Sequence, residues 1–136
     1  MVRLIMGLTG SGKTKTMVSM VNEAIQNESG DVVCVERGKT LTYDIPRRVR
    51  LVSTEEFGIN TNSLFQGFLT GLHAANFDIT HVFVDCFYKI LDDNSNEAVE
   101  KFLSWLEAYS ERESVNFTLF ASNDPEQVSE NIKKYF

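Results

Sequence analysis

Cysteine is scarce in this chain: Cys34 and Cys86 are the only two among 136 residues, and they form no CxxC pair. Each lies inside an apolar run, which predicts buried free thiols and argues against a disulfide framework or a thiolate metal site. Long apolar runs are missing too. None approaches the ~18 residues needed to cross a bilayer, so no membrane insertion is expected. No leader pattern precedes the first apolar run, and a cytoplasmic location is the expectation. Positive charge is also in deficit. Thirteen Lys and Arg stand against nineteen Asp and Glu, a net charge of −6. That excludes a nucleic-acid binder driven by overall charge and leaves room for a local basic patch. There is no internal repeat, low-complexity tract or linker. The length and apolar content fit one domain with a real core over residues 1–136.

What is present is concentrated near the start. Val2-Arg3-Leu4-Ile5-Met6 reads as a buried strand, and Gly7-Leu8-Thr9-Gly10-Ser11-Gly12-Lys13-Thr14 follows. Met17, Met20, Val21, Ala24 and Ile25 then recur at helical spacing. The segment fits G-x-x-x-x-G-K-[ST] at every specified position, with the strand before and the helix after that the motif requires. Gly7 lets the chain turn sharply off the strand, and Gly10 and Gly12 permit backbone conformations closed to other residues. Successive N–H groups then point inward and form an anion-binding concavity. The helix N-terminus adds its partial positive charge. Lys13 is expected to reach the β- and γ-phosphates of a nucleotide, and the Thr14 hydroxyl to ligate Mg²⁺. The expected nucleotide contacts are Gly7, Leu8, Thr9, Gly10, Ser11, Gly12, Lys13, Thr14 and Lys15, with Lys13 also catalytic.

This segment resembles the Walker A motif of the P-loop NTPase superfamily. The resemblance implies an α/β sandwich around a mainly parallel sheet, and Mg²⁺-nucleotide binding. Thr80-His81-Val82-Phe83-Val84-Asp85-Cys86, an apolar strand ending in an acid, looks like the Walker B motif. It implies that Asp85 holds Mg²⁺ opposite Thr14, directly or through a water. Many relatives carry Glu directly after this Asp; Cys86 stands there instead, which argues against fast hydrolysis. Glu36, at the end of the apolar run Val32-Val33-Cys34-Val35, matches the position of the water-activating Glu of RecA-like relatives. It is the candidate general base. Asn123 and Ser122 follow the run Phe117–Ala121 and resemble the sensor position of the additional-strand P-loop class. Asn123 is the candidate contact to the γ-phosphate. Helix capping competes for this stretch, with Asp124 as N-cap, Pro125 at the first helical position and Gln127 closing the box.

Elsewhere the chain is read more coarsely. Glu28-Ser29-Gly30-Asp31 looks like a stop and turn, with Gly30 near the helix C-terminus. Residues 37–50 hold Arg37, Lys39, Arg47, Arg48 and Arg50 against Asp44 alone. They read either as a solvated loop or as an electrostatic patch for a protein or nucleic-acid partner. The alternation Leu41, Tyr43, Ile45 suggests a short extended piece. Val49–Val52 suggests a short strand. A helix is expected over about 62–76, with Leu64, Phe65, Phe68, Leu69 and Leu72 on its apolar face. Gly67 and Gly71, four apart, are expected to allow close packing against the sheet. Further helices are expected over about 96–112 and 125–135.

The fold expected from this order is a three-layer α/β/α sandwich around a mainly parallel sheet. At least one strand should separate the phosphate-loop strand from the acid-bearing one. The order resembles the additional-strand division of P-loop NTPases, which includes RecA-like ATPases and thymidine kinases. The leading expectation is a slow or partner-stimulated ATPase using ATP and Mg²⁺. No guanine-reading N/T-K-x-D motif is present, so adenine is the default base. An arginine finger is expected, if at all, from Arg37, Arg47 or Arg48 of a neighbouring subunit, which makes a homo-oligomer possible. The alternatives are a nucleoside-type kinase and a nucleotide-gated binding module with little turnover.

Overall fold

The computed structural model describes residues 1–136. Five apolar runs become strands: β1 (Val2–Gly7), β2 (Asp31–Glu36), β3 (Arg50–Ser53), β4 (Ile79–Val84) and β5 (Asn116–Ser122). All pairings are parallel, in the order β1-β5-β4-β2-β3. One strand, β5, therefore lies between β1 and the acid-bearing β4, as the element order predicted. Because every strand runs the same way, Gly7, Glu36, Asp85 and Ser122 finish on one edge of the sheet. That edge is where open α/β sheets place ligands.

Strand alternation sends successive side chains to opposite faces, and each face is covered. Val32 and Cys34 of β2 pack with Met17, Val21 and Ala24 of α1 (Lys13–Asn27), while Val33 and Val35 join a larger cluster on the other face. That larger cluster is built from α2 (Asn62–Ala75), α3 (Phe87–Ile90), α4 (Asn96–Glu113) and α5 (Glu130–Lys133). The chain is thus α/β, with helices flanking an all-parallel sheet. One helix covers the first face and four serve the second.

The shortage of helix on the first face is made up by an irregular segment. Leu41, Ile45 and Val49 are all buried and pack into the α1 cluster. The extended piece expected over 41–45 does not form. The Ile45 N–H donates to the Leu41 carbonyl at 3.1 Å, closing one helical turn. Spacing of four sends Leu41 and Ile45 inward together and leaves Tyr43 fully exposed.

Other expectations are corrected locally. Gly67 and Gly71 lie on the solvent side of α2, with nothing within 4 Å of a Cβ built on either, so they do not serve close packing. Gly30 does: a Cβ there would stand 2.1 Å from Thr80 Cγ2 and 2.5 Å from the Asp78 carbonyl. Its role is close approach to the neighbouring strand, not a left-handed helix end. The helix expected over 125–135 is split. A single 3-10 turn spans Pro125–Gln127, Val128 is extended and buried, and α5 begins only after Ser129. Burying Val128 against the core interrupts the helix. Asp124 does cap, accepting from the Glu126 N–H at 3.0 Å. Thr61 and Ser95 likewise cap α2 and α4 with their side chains.

Candidate functional site

The loop between β1 and α1 has the backbone that its glycines suggested. Gly10 and Gly12 adopt φ of +88° and +83°, the left-handed region that a Cβ disfavours. Gly7 serves by close approach, since a Cβ on it would meet Ser11 Oγ at 2.8 Å. Gly12 is also the N-cap residue of α1, and it offers no side chain to the first turn. The first-turn N–H groups of α1 have no side-chain acceptor, unlike those of α2 and α4, and no acid lies in that turn. Lys13 folds back over the loop, donating to the Leu8 carbonyl at 2.9 Å and to Ser11 Oγ at 3.2 Å. Leu8, Thr9, Ser11, Thr14 and Lys15 are exposed along the rim.

The second half of the site comes from the middle of the chain. The Thr14 hydroxyl donates to Asp85 Oδ2 at 3.4 Å, although the two residues are 71 apart in sequence. Asp85 is buried, and its other oxygen accepts from the Cys86 N–H at 2.9 Å. That bond holds the carboxylate at the head of β4. Cys86 itself sits at φ +56°, an unfavourable conformation for a side chain with a Cβ. A hydroxyl and a carboxylate beside the glycine-rich 7–14 loop are hard oxygen donors. They fit Mg²⁺, which takes one or two protein oxygens and keeps much of its water. No group of three or more His, Cys, Asp or Glu side chains is placed to hold a metal. An ion here would draw its other ligands from phosphate and water.

Glu36 and Asn123 stand on the same edge, in different situations. Glu36 is buried, and its carboxylate accepts from the Thr40 N–H at 2.8 Å, the Thr40 hydroxyl at 3.2 Å and the Leu41 N–H at 3.4 Å. It staples the turn that carries Leu41 into the core. Asn123 is half-buried, and its N–H donates to the Gly7 carbonyl at 3.1 Å. That bond ties the end of β5 to the first residue of the loop. Burial pushes the Cys34 thiol up to about 12, reinforced by the negative charges of Asp85 and Glu36. Cys34 is buried as expected, whereas Cys86 is half-buried. Burial, with Asp85 next, raises the Cys86 thiol as well.

Three of the five cations of the basic segment 37–50 have partners, and the two ion pairs among them are exposed. Arg37 pairs with Glu55 and Lys39 with Glu56, at 3.4 and 3.5 Å. Arg48 donates to the Ile25 carbonyl in the last turns of α1. Arg47 and Arg50 remain without an acidic partner.

No protein-family model matches the chain, and no curated protein matches it. The geometry is what bears on function. Two residues of this edge escaped the sequence reading: Tyr88 and Lys89, in the short helix α3. The signal was their position, directly after the acid-bearing strand and its turn. α3 is too short to announce itself by periodicity.

Proposed function

We propose that the chain binds ATP with Mg²⁺ on the 7–14 loop and hydrolyses it slowly, or faster when a partner stimulates it. The observation that carries this reading is the meeting of Thr14 and Asp85 at 3.4 Å, beside a loop held open by two left-handed glycines. In this reading the chain is a P-loop NTPase of the additional-strand division. The loop amides from Gly7 to Lys15 receive the phosphates. Lys13 exchanges the Leu8 carbonyl and Ser11 hydroxyl for β- and γ-phosphate oxygens, stabilising charge as the phosphoryl group transfers. Thr14 and Asp85 hold Mg²⁺, which neutralises the phosphate oxygens when bound. Asn123 contacts the γ-phosphate from the end of β5. Glu36 orients the attacking water only when it gives up some of its bonds to Thr40 and Leu41. That requirement, together with Cys86 where relatives carry Glu, supports a slow basal rate.

A second reading, transfer of the γ-phosphoryl group to a small acceptor, is favoured by one observation. A cleft of about 380 Å³ opens beside Asn123 on the same edge. No single observation favours a gated binding module acting through residues 37–50, whose cations are exposed and only loosely paired.

The test follows γ-phosphate-labelled ATP with Mg²⁺, using Lys13→Ala as control. Slow release of labelled phosphate that disappears in the control is expected, and Asp85→Asn should abolish the Mg²⁺ enhancement of ATP affinity. Label on a metabolite would move the reading to a kinase, and label persisting in bound ATP to a binding module. Wild-type protein that retains no nucleotide would overturn it.

A further inference from the structure

The Tyr88 hydroxyl is the one buried side-chain polar atom in the molecule without a hydrogen-bond partner. The residue is only 6% exposed. A hydroxyl taken from water with nothing in return costs about 1–3 kcal/mol, so an orphan calls for an explanation. Its setting offers one. Tyr88 lines the cleft of about 380 Å³ together with Arg37, Lys89, Asn94, Ser122 and Asn123. The Asn123 side chain is its polar neighbour in the cleft and draws on the phenol as a hydrogen-bond partner does, though their geometry falls short of a full bond. The hydroxyl itself is closed off from solvent, so a ligand oxygen reaches it only when the Asn123 side chain or the ring shifts.

The charge of this cleft runs against that of the whole chain. The molecule carries −6, yet the cleft is lined by two cations and no acid. Lys89 is exposed and makes no ion pair. The Glu55 partner of Arg37 lines an adjoining cleft, which Arg37 and Lys89 also line. Both members of that pair are about half exposed, and such pairs contribute little. Arg37 can turn to a better anion at small cost. Arg37 follows β2, Tyr88 and Lys89 follow β4, and Asn123 follows β5. The cleft thus spans three strand ends and abuts the loop through the bond from Asn123 to Gly7.

We propose that this cleft binds a second, anionic small molecule, a carboxylate or phosphate monoester. Its oxyanion lies between Arg37 and Lys89, and a neighbouring oxygen pairs with the Tyr88 hydroxyl and the Asn123 amide. The site adjoins the proposed nucleotide site without using the loop residues 8–15. It deepens the nucleotide reading, on which its role as acceptor or trigger rests. The binding itself does not depend on that reading.

The test titrates two probes, inorganic phosphate and succinate, monitored by protein amide shifts. One series uses wild-type protein saturated with ADP and Mg²⁺, so that the loop is already filled. The other uses nucleotide-free Lys13→Ala. At least one probe should bind in both series, shifting amides near Tyr88, Lys89 and Asn123. Lys89→Gln should weaken it about tenfold, the loss expected for one charge-assisted bond. Tyr88→Phe should also weaken it, while leaving the free protein as stable as wild type or more so. That second readout separates a ligand contact from a structural tyrosine. Phosphate alone binding would assign a phosphate ester, and succinate alone a carboxylate. Neither binding, or equal binding by wild type and both variants, would overturn the proposal. Failure of ADP to bind would sink the nucleotide reading, and the Lys13→Ala series would still decide the cleft.

Discussion

His81 shows how one residue couples this fold to pH. Its ring lies buried on β4, with Nδ1 2.7 Å from Glu28 Oε2 and Nε2 2.8 Å from Thr118 Oγ1. Burial lowers its proton affinity below the ordinary 6.5, and the bond to Glu28 opposes that only in part. The folded state therefore resists a proton that the unfolded chain accepts. The unfolded state binds more protons as pH falls, so stability rises with pH through this range and declines below about 6.5. Urea midpoints at about pH 7.5 and about pH 5.5 should drop more for wild type than for His81→Gln. An equal drop would assign the acid sensitivity elsewhere. At this scale the sequence is legible wherever chemistry is written in adjacent residues. Gly10, Gly12, Lys13 and Thr14 announce a loop because their spacing is itself the structure. Asp85 was found because it ends an apolar run. The three bonds to Glu36 were hidden, because they depend on how the chain turns back at Thr40 and Leu41. The Tyr88 hydroxyl was hidden for the opposite reason: it is conspicuous by what it lacks.

The helices and the irregular segments divide the stabilising work in ways that invite direct test. Gly67 and Gly71 face open space on α2. Gly67→Ala and Gly71→Ala should each stabilise by about 0.4–1 kcal/mol, since alanine restricts the unfolded chain and costs nothing in the helix. Gly30→Ala should destabilise by about 1–3 kcal/mol, because the new methyl meets the Asp78 carbonyl and the Thr80 side chain. Thermal melts of the three variants check both signs at once. From the sequence, close packing is expected of Gly67 and Gly71 and a turn of Gly30, and only their neighbours in the fold reverse those roles. Strand positions were legible because buried parallel strands read as continuous β-branched runs. The segment 41–49 was not, because its apolar spacing of four closes a single turn too short to read as a helix. Its cationic residues drew attention to solvent, while Leu41, Ile45 and Val49 were forming half of a core face.

Across the whole molecule, no helix is long and apolar enough to cross a membrane, and α/β architecture followed from alternating strand and helix patterns. That at least one strand separates β1 from β4 was also legible, from the likeness of element order alone; that it is β5 alone was not. The detailed neighbour relations of an open sheet were not, since several orders satisfy one alternation. The strand order carries a consequence for assembly in time. β1 is an edge strand, and its sole strand partner is β5, more than a hundred residues later. The contacts that fix the 7–14 loop, from Asp85 and Asn123, also arrive late. During synthesis, the segment made first is the one that must wait longest, because closing so long a loop is slow and nothing nearer can substitute. Pulse-labelled hydrogen exchange during refolding should find the β2, β3 and β4 amides protected before those of β1. A β1 protected first would mean that the loop forms on local information alone. The expected order means instead that a nascent or truncated chain ending before β5 holds its 7–14 loop unformed, so whatever that loop does is withheld until the sheet is complete.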